Sequence, residues 1–168
     1  GILAVFETVP NLDNYITNRI KGKIQNFYSR LKRFKRKANL NNWNYFTTFT
    51  YDGKRIDEDY FRESLRKCLS NLSSRRGWRY MGVFERSPEK DRLHFHVLMY
   101  IPEGQMVGTI EERKEYSTKQ KKMQTIFCNT FFEKRFGRND FKPIEQQGCS
   151  KSLILNYIIK YIQKTGER

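Results

Sequence analysis

The two histidines of this 168-residue chain, His94 and His96, stand two apart in the apolar run LHFHVLMYI, residues 93–101. A strand alternates its side chains, so both imidazoles share one face while Leu93, Phe95, Val97 and Met99 take the other. Two imidazoles projecting side by side suit a divalent metal, each binding through one ring nitrogen. Glu85 closes the preceding run, WRYMGVFE (78–85), before a turn at SPEKD (87–91). In a hairpin it lies across from the pair and can supply an oxygen ligand. Two imidazoles and one carboxylate leave positions open for a phosphate oxygen and water, as a catalytic metal site requires. Half-exposed strand histidines beside a rim carboxylate give the same pattern, so this trio needs a second motif before it carries weight.

That motif lies near the end of the chain. Tyr157, Lys160, Tyr161 and Lys164 (YIIKYIQK) recur at spacings of three and four, which aligns them in one stripe of a helix over about 150–164. Ile154, Ile158 and Ile162 form another stripe that can anchor the helix. A phenol ionises near pH 10, so a nucleophilic tyrosine needs nearby positive charge or a metal. A lysine three residues on can stabilise phenolate or grip a phosphate. Alone, such a stripe also reads as a core edge with solvated lysines.

The elements that must position these groups follow from periodicity. Ile16, Ile20, Ile24, Phe27, Leu31 and Phe34 predict a helix over about 15–37, one face packed and the other basic. WNYFTTFTY (43–51) predicts a strand, and Asp57 or Asp59 can cap a helix running to about Ser74. Strands follow at 78–85 and 93–101, then a loop over 102–116. Helical spacing of Met123, Ile126, Phe127, Thr130 and Phe131 predicts a helix from about Thr118 to Arg135, then a short strand over 141–146. The order α, β, α, β, β, α, β, α favours an α+β domain with a mainly antiparallel sheet of about five strands, an RRM- or ferredoxin-like palm flanked by helices. Residues 1–42 form a segment with a basic amphipathic helix, and 43–168 carry the chemistry within one compact whole.

Lys and Arg number 33 against 18 Asp and Glu, a net charge of +15. That excess argues for a polyanionic partner, because each neutralised phosphate releases counterions. Cys68, Cys128 and Cys149 lack metal-type spacing and suit reduced thiols in a cytoplasmic protein. No apolar run is long enough to span a membrane, and no secretory signal opens the chain. Gly1 in place of Met fits a piece of a longer natural chain.

FTTFTYD at 46–52, Glu85 with HFH at 94–96, and YIIKY at 157–161, in this order, resemble the three motifs of the HUH endonucleases. More narrowly, the chain resembles a rolling-circle replication initiator of the two-tyrosine kind found in small single-stranded DNA phages and some plasmids. The resemblance covers about residues 43–164 and implies an antiparallel sheet with the histidines on a central strand. It implies Mg²⁺ or Mn²⁺ held by His94, His96 and Glu85, and attack by Tyr157 or Tyr161 with Lys160 and Lys164 as their cations. The products implied are a 5′-phosphotyrosyl bond and a free 3′-hydroxyl. It places Thr48, Thr50 and Tyr51 along the DNA cleft, although strand packing explains each equally well. Lys119, Lys121 and Lys122, with the basic N-terminal helix, are candidate backbone contacts. The implied partners are single-stranded DNA at a replication origin, a separate helicase and a host polymerase in a prokaryotic cytoplasm. A conjugative relaxase or single-strand transposase would share the chemistry. An RRM-like, non-catalytic single-strand binder would explain the charge and aromatics but leave His94, His96 and the paired Tyr-x-x-Lys without a role.

Overall fold

The computed structural model describes residues 9–39, 42–88 and 90–144. The chain divides into two compact units, Gly1–Lys37 and Ala38–Arg168, and each is described by itself. The expected helix over 150–164, with Tyr157, Lys160, Tyr161 and Lys164, lies outside the described residues.

In the first unit, α1 runs Val9–Asn39, starting earlier than the periodicity from Tyr15 predicts. Arg36 and Lys37 in its last turn complement the partial negative charge of a helix C-terminus. Ile16, Ile20 and Ile24, expected to pack inward, are each about half exposed.

The second unit runs β1 (Tyr45–Thr50), α2 (Glu58–Arg76), β2 (Arg79–Arg86), β3 (Leu93–Tyr100), β4 (Ile110–Ser117), β5 (Lys122–Asn129), α3 (Thr130–Phe136) and β6 (Asn139–Pro143). Four strands form a sheet in the order β2-β3-β1-β6, with every neighbouring pair antiparallel. A separate ribbon pairs β4 with β5. The described fold is α+β, with six strands in two sheets.

Period-two alternation divides the four-stranded sheet into two faces. Phe49, Leu93, Phe95, Val97, Met99 and Phe141 turn to one side and build the core. Phe61, Leu65, Leu69 and Leu72 of α2 close over it, all at spacings of three or four and all buried. Burying each such side chain contributes about 1.5–3 kcal/mol before entropy is charged against it. Phe132 and Phe136 of α3 complete the cluster. Asp57 caps α2 by accepting from the backbone N–H groups of Asp59 and Tyr60. Gly77 ends it in the left-handed conformation, φ 71°.

Gly82 sits where β2 must lie tight on β3. A Cβ there would fall 2.5 Å from the His96 carbonyl oxygen and 2.9 Å from Cζ of Phe95. The backbone oxygen cannot swing away as a flexible side chain could, so β2 would have to move off its neighbour. Gly82→Ala is therefore expected to cost about 1–3 kcal/mol of stability, read as a lower urea midpoint. An unchanged midpoint would show that the two strands are not this close.

One expectation is overturned. Residues 118–135 are not a helix, and 102–116 are not wholly loop: β4 begins at Ile110, and the chain turns at 118–121 into β5. Only Thr130–Phe136 is helical. Met123, Ile126 and Phe127 belong to the strand, and Thr130 and Phe131 to α3, so their helical spacing straddles two elements. What fixes β5 as a strand is non-local. Asp140 Oδ1 accepts the Phe127 N–H at 2.9 Å, and Asn139 Oδ1 accepts the Asn129 N–H at 2.8 Å. Asn139 Nδ2 donates to the Asn129 carbonyl at 3.1 Å. Side chains of β6 thus take backbone groups that a helix would have satisfied internally. The expected strand over 141–146 begins earlier, at Asn139.

Candidate active site

The face of the sheet away from α2 carries the chemistry-bearing residues. Directly opposed residues of an antiparallel pair share a face, and the register opposes Thr48 to His96, Thr50 to His94, and Glu85 to His94. Both histidines therefore sit on β3, an interior strand, with threonines on one side and the carboxylate on the other.

The contacts within this row are specific. Thr48 Oγ1 lies 3.2 Å from His96 Nδ1, and Thr50 Oγ1 lies 3.2 Å from His94 Nδ1. Glu85, opposite His94, reaches diagonally to His96, with Oε2 2.9 Å from Nε2. The imidazoles stack with centroids 6.0 Å apart, and Phe46 stacks on the far side of His96 at 6.3 Å. Thr50, Glu85 and His96 are all buried. These contacts leave little freedom in the orientation of either ring.

A hydroxyl both donates and accepts, so each threonine can serve either protonation pattern of its histidine. It can donate to Nδ1 when Nε2 carries the proton, or accept from Nδ1–H when Nε2 is a metal ligand. Metal-bound histidines usually have such an outer partner. Burial, then positive charge at His96, push the His94 pKa down to about 4, with Arg92 and Arg138 acting in the same direction and Glu85 against it. His94 is thus a neutral imidazole at pH 7, the form that binds metal.

The donor set fits a divalent ion in part. Ligand oxygens and nitrogens lie about 2.1 Å from a small divalent ion, so neighbouring positions of an octahedron are about 3 Å apart. Glu85 Oε2 and His96 Nε2 stand at 2.9 Å. Among the described residues, no group of three His, Cys, Asp or Glu side chains is gathered as a metal shell. Two of the three expected ligands are adjacent, and a ring movement of His94 is what completion of the set requires.

Other candidates lie elsewhere. Tyr51 follows β1 on the core side: its hydroxyl donates to the Ile56 carbonyl at 2.8 Å, and its ring packs on Phe61. It does not share the face of Thr48 and Thr50. Lys119, Lys121 and Lys122 are exposed, at the turn of the β4–β5 ribbon and not on a helix, with Lys121 in the left-handed region at φ 53°. The positions of Tyr157, Lys160, Tyr161 and Lys164 fall outside the described residues.

Sequence reasoning missed how Thr48 and Thr50 are used and the parts played by Asn129, Asn139 and Asp140. For the threonines a signal existed, since Thr-x-Thr and His-x-His share the period that lets two adjacent strands pair them one to one. The asparagines sit in turns, where nothing local marks them. Both are buried, and Asn129 Oδ1 also caps α3 through Phe131 and Phe132 N–H.

No described helix is long and apolar enough to cross a membrane. Residues 44–166 match the family model described as a replication-associated protein of the ORF2 type. That span includes every residue from Thr48 to Lys164 considered above. No curated protein and no solved structure matches the chain.

Proposed function

The chain belongs to this family of replication-associated proteins, and from that premise we propose that it initiates replication by nicking and rejoining single-stranded DNA at an origin. The observation that carries the reading is the cross-strand row Thr50–His94–Glu85 and Thr48–His96, which orients two imidazoles and a carboxylate on one face of an interior strand pair. Such an array has little purpose as packing, because a buried carboxylate and imidazole cost desolvation that apolar residues would avoid.

In this reading His94, His96 and Glu85 hold Mg²⁺ or Mn²⁺. The ion when bound supplies Lewis-acid polarisation of the scissile phosphate. Tyr157 is the nucleophile, and Tyr161 serves in a second cut. The phenol loses its proton as Lys160 or Lys164 stabilises the phenolate, and its oxygen bonds to phosphorus. The bond from phosphorus to the 3′ oxygen breaks, leaving a free 3′-hydroxyl for a polymerase and a 5′-phosphotyrosyl linkage. Because one phosphoester replaces another, rejoining needs no ATP. Paired tyrosines let one hold the old end while the other cuts the regenerated origin. The sequence carries no GxxxxGK[ST] phosphate loop, so strand separation is assigned to a separate helicase.

Incubation with origin-type single-stranded oligonucleotides and Mn²⁺ tests the proposal. The expected product is a band shift that survives boiling in detergent. A non-catalytic binder gives only complexes that dissociate, and that result would end the enzyme reading.

The threonines provide a further expectation. Thr50→Val keeps the shape of the side chain and removes the partner of His94 Nδ1. It is expected to lower Mn²⁺ affinity by about 10–100-fold with the fold intact, as loss of an outer-shell partner commonly does. Calorimetric titration of the full chain reads it, and an unchanged affinity would leave Thr50 a packing residue.

A further inference from the structure

Among the described residues of the second unit, three large hydrophobic side chains are exposed: Tyr60, Tyr116 and Met123. Two of these, Tyr116 and Met123, are cross-strand partners near the end of the β4–β5 ribbon, at 59% and 60% exposure. The inner half of that ribbon is fastened down. Ile126, Cys128 and Asn129 are buried. Asp140 and Asn139 hold β5 by its backbone, and both carboxylate oxygens of Glu115 are gripped by Arg138. Gln124 Nε2 also donates to Glu115, at 2.8 Å. Outside that grip, Lys114, Tyr116 and residues 118–123 are exposed. The ribbon therefore projects a tip from a rigid base.

The tip has a definite chemistry. Lys114, Lys119, Lys121 and Lys122 surround the Tyr116–Met123 pair, and Lys114 stands two residues from Tyr116 on the same face of the strand. The one acid among residues 114–123, Glu115, is already engaged by Arg138. Two apolar side chains are too few for a protein interface, which needs about 800 Å² from each partner. They suffice for one nucleobase, whose flat face stacks on an aromatic ring while cations hold the adjoining phosphates.

We propose that Tyr116 and Met123 form a stacking platform for an unpaired base of single-stranded nucleic acid, with the four lysines gripping its backbone. The inference rests on the reading of nucleic acid as the partner. It assigns the single-strand grip to an element outside the sheet that carries the histidines.

The test uses the full chain and a fluorescein-labelled 20-mer of deoxythymidylate in EDTA, so that no cutting intervenes. Tyr116→Ala is expected to weaken binding by about 5–100-fold, the usual range for loss of one base stack. Tyr116→Phe, which keeps the ring, is expected to bind like the parent. Replacing Lys119, Lys121 and Lys122 together by Gln is expected to flatten the dependence of log affinity on log salt by about 2, since each single-strand phosphate contact contributes about 0.7. Unchanged binding by Tyr116→Ala, equal losses in Tyr116→Ala and Tyr116→Phe, or an unchanged salt slope would overturn the proposal. So would a duplex competitor that displaces the 20-mer as well as unlabelled single strand does. If the platform binds as described but no covalent adduct ever forms, the nicking proposal fails and this one stands; an adduct with unaltered Tyr116→Ala binding gives the reverse.

Discussion

Tyr157→Phe is expected to reduce the initial rate of detergent-stable adduct formation by on the order of 10³-fold or more, while single-strand affinity stays within about twofold of the parent. The size follows from the role. A phenylalanine ring packs as tyrosine does but has no oxygen to bond to phosphorus, and loss of the nucleophile in a covalent enzyme removes nearly all of its rate enhancement. Binding should survive because the +15 charge that attracts the strand is unaffected. Tyr161, one helical turn on, gives a reason for residual product. The Tyr157→Phe/Tyr161→Phe double variant is therefore expected to give none. Initial rates measured on a denaturing gel separate the two variants, and full adduct yield from the double variant would end the tyrosine assignment.

The second large effect is expected from the metal side. His94→Ala should lower Mn²⁺ affinity by on the order of 10²-fold or more and remove adduct formation with it, since loss of a ligand exceeds loss of an outer-shell partner. His94 is a cleaner target than His96, which is buried, contacts Glu85 at 2.9 Å and is stacked on by Phe46. Glu85→Gln complements it. The amide can keep a hydrogen bond to His96 but brings no negative charge, so a loss of Mn²⁺ affinity there with little change in melting temperature would mark the carboxylate as a ligand. Equal Mn²⁺ affinity in the parent and in His94→Ala would remove the metal from the account.

Much of this arrangement was legible because it is local. The alternation in residues 78–85 and 93–101 shows both strands and the shared face of His94 and His96, and the turn between them makes Glu85 their neighbour. Asp57 followed by Phe61, Leu65, Leu69 and Leu72 is a cap and a stripe, which is all that α2 needs. The β4–β5 ribbon was not legible, for a physical reason. Its strand identity depends on Asn139 and Asp140, more than ten residues away, taking the backbone of β5. No local pattern encodes that. The spacing of Met123, Ile126, Phe127, Thr130 and Phe131 even imitates a helix. Thr48 and Thr50 fall between these cases: their alternation is visible in FTTFTYD, but their partnership with the histidines needs β1 to pair with β3 in one register.

The central claim is that a phenol of the YIIKY segment attacks the phosphate, and peptide mapping of the adduct tests it most directly. Trypsin cuts after Lys151, Lys160 and Lys164, so Tyr157 leaves in the peptide of residues 152–160 and Tyr161 in that of residues 161–164. After a first cut in Mn²⁺ and nuclease trimming, the account predicts a nucleotide mass on the 152–160 peptide, lost in Tyr157→Phe. A nucleotide on any residue other than Tyr157 or Tyr161, or no modified peptide under conditions where the strand is cut, would contradict it.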